Sequence, residues 1–160
     1  MDFWRVIDAF PDYEINPSGD VRHRRRMDLK GTRHNQGGDL IIDLSRDAKK
    51  HTRKVSLLVA KAYLESPNPE IFNSVIHKDG DKSNCEVGNL EWRPRWFVIE
   101  YNQMFKHRPY NVSVEIEQTG EIFGTLREAC MKYGLIEKRV YSSLSDGSRS
   151  FPHEFRMKQL

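Results

Sequence analysis

Two cysteines, Cys85 and Cys130, stand far apart in 160 residues. They form no Cys-x-x-Cys pair, which excludes a disulfide scaffold and a zinc ribbon. Basic residues outnumber acidic ones only 26 to 23, a net charge of +3, so no global field draws in a polyanion and any such attraction must come from local patches. The apolar stretch from Val55 to Leu64 is too short to span a bilayer and too continuous for a surface loop, so it is expected to be a buried helix. Met1-Asp2-Phe3-Trp4 shows no signal pattern, and with no long apolar run either, a soluble, reducing cytoplasm and no membrane are expected. The aromatic stacking patterns of RNA-binding modules are missing, which disfavours RNA as the partner.

One stretch carries chemistry. Val75-Ile76-His77-Lys78-Asp79-Gly80-Asp81-Lys82-Ser83-Asn84 sets a histidine at the end of a short apolar strand, before a turn-rich polar loop. Asn89-Leu90-Glu91-Trp92 closes the loop, with Leu90 and Trp92 alternating as core anchors on a returning strand. From Arg95 to Phe105 a helix follows, with Pro94 suited to its first turn and Trp96, Ile99 and Met104 near one face. An imidazole titrates near neutrality, so His77 can take a proton from water in the hydrolysis of a phosphodiester, a reaction that a divalent cation assists by stabilising charge on the phosphate. His23, His34 and His51 fall in basic runs and His107 and His153 in linkers or turns, leaving His77 as the one histidine placed for catalysis.

At His77, Asp79, Gly80, Lys82, Asn84, Asn89, Leu90 and Trp92 the chain resembles the HNH nucleases, and more closely the phage homing endonucleases of that family. The resemblance implies a ββα-metal finger in which His77 activates water and Asn89 braces the histidine loop through its amide. The family's first metal ligand stands just before the histidine, where this chain has Ile76, and its second falls at Val98; neither side chain can coordinate an ion. Asn102, one helical turn further on, is the better candidate ligand, Glu100 the second choice, and Asp79 a third whose other role is to close the turn with Gly80. Ser56 replaces a histidine often found in the family, and Cys85 an asparagine of the loop; no catalysis is assigned to either.

The flanks read as DNA-facing modules. Trp4, Ile7 and Phe10, then Tyr13 and Ile15, lead to a turn at Pro17-Ser18-Gly19-Asp20, a small β element similar to the module preceding the nuclease in phage homing enzymes. Arg22, Arg24, Arg25, Arg26, Lys30 and Arg33 are opposed in sequence only by Asp20 and Asp28. Arg46, Lys49, Lys50, Arg53 and Lys54 face only Asp47. Two dense clusters beside a nuclease motif point to phosphate contact. Leu40–Leu44 reads as a strand between them. Beyond Lys106–Asn111, Val112, Val114 and Ile116 alternate toward a hairpin turned at Thr119-Gly120-Glu121. Thr125 and Glu128 form a capping box, Gly134 ends that helix, and a second helix runs from Glu137 to Leu144 with Val140, Tyr141 and Leu144 inward and Lys138, Arg139, Ser142 and Ser143 outward. Phe151 and Phe155, with Arg149, Arg156 and Lys158, suggest a closing strand. The pair fits a helix-turn-helix and is similar to the C-terminal repeat domain of phage homing endonucleases.

The expectation is an α+β, extended multi-module monomer: a β-rich DNA-binding module (1–54), an HNH nuclease (55–105), a linker (106–111) and a C-terminal hairpin with a helix-turn-helix (112–160). The resemblance implies a site-specific endonuclease hydrolysing phosphodiester bonds of double-stranded DNA with Mg²⁺ or Mn²⁺. The alternative is a DNA-binding regulator with a degenerate HNH centre, marked by Ile76.

Overall fold

The computed structural model describes residues 3–153 and 155–160; Met1 and Asp2, expected to open the first module, and Glu154 lie outside them. The fold is mixed α+β and divides into two compact units, one comprising residues up to His77 with Asp81–Pro94, the other Lys78–Gly80 with Arg95–Leu160. Among the described residues no helix is long and apolar enough to cross a membrane.

The first unit begins with three antiparallel strands, β1 (Arg5–Ile7), β2 (Phe10–Ile15) and β3 (Val21–His23), in the order β1-β2-β3. The expected turn lies between β2 and β3, where the Asn16 side-chain oxygen accepts from the Ser18 and Asp20 amides and φ of Gly19 is +95°. A second antiparallel sheet joins β4 (Thr32–His34), β5 (Leu40–Arg46) and β6 (Lys49–Lys54), with β5 central. On β5, Ile41, Ile42 and Leu44 are buried while Asp43 is partly exposed. The basic run 49–54 is itself β6, a mostly exposed edge strand.

Helix α1 (Val55–Tyr63) buries Val55, Leu58 and Val59 at i, i+3 and i+4. Strands β7 (Ser74–His77) and β8 (Leu90–Arg93) pair with Val75 opposite Trp92 and His77 opposite Leu90. A single core contains Phe10, Ile15, Val21, Ile42, Leu44, Val55, Val59, Val75, Leu90 and Trp92. The boundary expected at 54/55 therefore falls inside one unit, because α1 is the shared lid of strands from both sides of it.

In the second unit, α2 (Arg95–Met104) starts after Pro94 and buries Phe97, Tyr101 and Met104. The face expected from Trp96 and Ile99 is instead 45% and 53% exposed, since the i, i+4, i+7 stripe of Phe97 offers two stacked rings and Met104 to the interior. Strands β9 (Val114–Ile116), β10 (Ile122–Phe123) and β11 (Met157–Gln159) form a sheet in the order β10-β9-β11. The closing strand thus begins after Phe155, while Phe151 packs on Trp96 and Phe97 and Phe155 packs on Tyr133.

Helix α3 (Leu126–Tyr133) carries the expected capping box of Thr125 and Glu128 and ends at Gly134 in the left-handed region, φ +60°. Helix α4 (Glu137–Ser143) follows; Val140 is buried, whereas Tyr141 is largely exposed and stacks on Tyr110 at 4.1 Å. Glu137 is 2% exposed, pairs with Arg127 at 2.6 Å and accepts from the Tyr110 amide, while Arg127 also reaches the His107 carbonyl. Residues 106–111, expected as a linker, are therefore held against α3 and α4 by hydrogen bonds. Arg127→Ala leaves a buried carboxylate without its cation, and urea denaturation is expected to show a loss of about 3–5 kcal/mol.

Candidate active site

His77 is the last residue of β7, where the pairing with Leu90 fixes its backbone, and its side chain is 5% exposed. Its Nε2 lies 4.0 Å from the Sγ of Cys85. Burial pushes the Cys85 thiol up to about 11, so it stays protonated at neutral pH and the two do not form a thiolate–imidazolium nucleophile.

The loop that follows is bonded to itself and to the N-terminal sheets. Asp81 accepts from the Ser83 amide through its carboxylate and from the Asn84 amide through its carbonyl. Asn89 donates its amide Nδ2 to the Asn84 carbonyl at 2.9 Å, tying together the second half of the loop just ahead of β8. The Val87 amide donates to the Pro17 carbonyl at 2.8 Å, Lys82 Nζ to the Gly37 carbonyl at 2.7 Å, and His34 bonds Ser83 at 2.8 Å. Sequence reasoning identified none of these last three ties, because each joins residues separated by more than forty positions.

Immediately after His77 the chain is docked on α2. The Tyr101 hydroxyl, on a fully buried side chain, donates to the Lys78 carbonyl at 2.6 Å. Gly80 has φ +79°, and a Cβ there would stand 2.7 Å from the Phe105 ring, so both backbone and contact require glycine. Val98, Tyr101, Asn102 and Phe105 share one stripe at i, i+3, i+4 and i+7, which puts Asn102 on the side of the helix that receives Lys78–Gly80.

Glu100 lies about 200° around the helix from Asn102. It is committed elsewhere: both carboxylate oxygens accept from Arg139 of α4, each at 2.7 Å, and this pairing holds the Glu100 carboxyl below and the Arg139 guanidinium above their usual ranges. Asn102 is half-buried and its side chain makes no hydrogen bond among the described residues. Asp79 sits in the turn with Gly80. Ile76, at the position before the histidine, is fully buried. Among the described residues no three His, Cys, Asp or Glu side chains gather to hold an ion. A hard cation asks for about six oxygen ligands. These residues do not fit a cation held by the protein alone.

The basic clusters are more neutralised than their sequence spacing implied, because the strand register brings in acids from elsewhere. Asp43 on β5 accepts from Arg33 of β4 and from Lys50 and Thr52 of β6. Arg22 pairs with Glu14 and lies over the Trp4 ring, Arg26 pairs with Asp28, and Lys54 pairs with Asp39. Arg24 donates to the Pro11 carbonyl, and Arg53 to the Thr52 carbonyl. Arg25, Lys49 and Lys138 are exposed and form no side-chain ion pair among the described residues.

No family model matches the chain. Two uncharacterized HNH endonucleases of Acanthamoeba polyphaga mimivirus are similar to it, one 36% identical over 107 residues and the other 37% identical over 89 residues. These cover 67% and 56% of this chain, but the chain spans only about a quarter of each relative's length, 25% and 26%. The solved structure of the HNH homing endonuclease I-HmuI, described as one of DNA binding and cleavage, matches with a TM-score of 0.58 at 20% identity, over 99% of this chain and 98% of that one. The fold is therefore that of an HNH homing endonuclease, and the sequence relatives support the HNH endonuclease family as the class.

Two outcomes follow from the geometry. Tyr101→Phe removes the bond to Lys78 while keeping the ring, and chemical denaturation is expected to show a loss of about 1 kcal/mol. The Thr52 hydroxyl, then Lys50 and Arg33, hold the Asp43 carboxyl down to about 2 from its usual 3.8. Its contribution to folding is then present above pH 3.8 and lost as pH falls through 2, and Asp43→Asn should flatten the fall in melting temperature across that interval.

Proposed function

We propose that this chain is a DNA endonuclease of the HNH type that hydrolyses phosphodiester bonds with His77 as general base. The observation that carries the reading is the placement of His77 at the end of β7, before a loop closed by Asn89, in a chain with the I-HmuI fold and HNH relatives. The imidazole accepts a proton as the water oxygen bonds to phosphorus, and the P–O bond to the leaving sugar oxygen breaks. One such histidine per chain makes a nick the product of one binding event, with the chain acting as a monomer on double-stranded DNA.

Arg25, Lys49 and Lys138 are the cations best placed to meet phosphates directly, while Arg22, Arg24, Arg26, Arg33, Lys50, Arg53 and Arg139 would exchange an internal partner for DNA. Helices α3 and α4 are read as a helix-turn-helix, with α4 offered to a major groove. Dependence on Mg²⁺ or Mn²⁺, with Asn102 as protein ligand, belongs to the same reading, as do homing and a phage-type role. A second reading, a DNA-binding regulator with a degenerate centre, is favoured by one observation: Ile76 is buried and apolar where a ligand is expected.

Supercoiled plasmid incubated with the protein separates the two. Relaxation that needs a divalent cation, stops with chelator and disappears in His77→Ala supports the endonuclease. Binding without relaxation under either metal supports the regulator.

A further inference from the structure

The second unit contains a small cavity of about 190 Å³ lined by Trp96, Phe97, Arg139, Arg149, Ser150 and Phe151, among others. Its apolar lining combines three aromatic rings with Ile136 and Val140. Trp96 and Phe151 are 45% and 51% exposed with ring centroids 6.0 Å apart, and Phe97 forms a third ring 6.0 Å from Phe151. The Arg139 guanidinium stands 5.0 Å from the centroid of Trp96. Ser150, 5% exposed, is also among the lining residues, and among the described residues its buried Oγ has no hydrogen-bond partner. A buried hydroxyl without a partner is costly to a fold, and such groups are uncommon in native proteins.

A drug-sized ligand occupies about 300–1,000 Å³, so this space suits one planar ring system rather than a whole nucleotide. Exposed aromatic faces flanked by guanidinium groups offer stacking to any base and leave the sugar-phosphate outside, near positive charge. We infer that this cavity receives a single unstacked nucleobase of bound DNA, stacked on Trp96 and Phe151 beside the Arg139 guanidinium. The inference rests on the DNA reading above and adds to it a preference for DNA with an unpaired base, independent of cleavage.

The test uses the full chain, chelator to suppress cutting, and two otherwise identical short duplexes, one with 2-aminopurine paired and one with it unpaired. The inference predicts at least threefold tighter binding of the unpaired duplex, quenching of its 2-aminopurine emission as the base stacks, and loss of both differences in Phe151→Ala and in the milder Phe151→Leu. Equal affinity for both duplexes with unchanged emission overturns the inference and leaves the DNA reading standing. Binding to neither duplex overturns both.

Discussion

The amide of Asn89 bonded to the carbonyl of Asn84 is the contact on which the arrangement around His77 depends. It closes residues 84–89 just ahead of β8, and Asp81 and Glu86 supply turns through their backbone acceptors. Cys85 and Val87 anchor this loop in the core, and its polar remainder is held by hydrogen bonds, with the Pro17, Gly37 and His34 ties adding support from the N-terminal sheets. The histidine at the end of β7 is thereby held by strand pairing on one side and a bonded loop on the other.

Helix α2 serves two purposes with two of its faces. One receives Lys78–Gly80 through Tyr101 and Phe105 and also carries Asn102. Another is joined to α4 by Glu100 and Arg139. An acidic residue on the helix after β8 invites assignment as a metal ligand, but a carboxylate accepting two guanidinium bonds is already satisfied. Its pairing makes the helix face, rather than charge, the criterion that favours Asn102.

Much of the fold was legible because its signals are local. Thr125, Glu128 and Gly134 specify one helix by capping chemistry within ten residues, and the apolar, β-branched run Leu40–Leu44 announces a strand. The spacing of the loop residues likewise marked the segment around His77 without any tertiary information. What stayed hidden depends on distant partners. Asp43 neutralises Arg33 and Lys50 only because β4 and β6 flank β5, and Tyr101 meets Lys78 across 23 positions. The inward face of α2 was misjudged because Trp96 and Phe97 are adjacent aromatics, and sequence hydrophobicity does not say which of two large neighbours faces inward. The same exposure of Trp96 created the aromatic cavity that no motif announced.

The central claim is that the segment after His77 is fixed in the free protein, and amide hydrogen exchange tests it most directly. The account predicts that the amides of Asn84, Val87 and Asn89 exchange slowly, with protection near that of strand β8. Exchange of those amides at the rate of an open loop, while β8 remains protected, would contradict it.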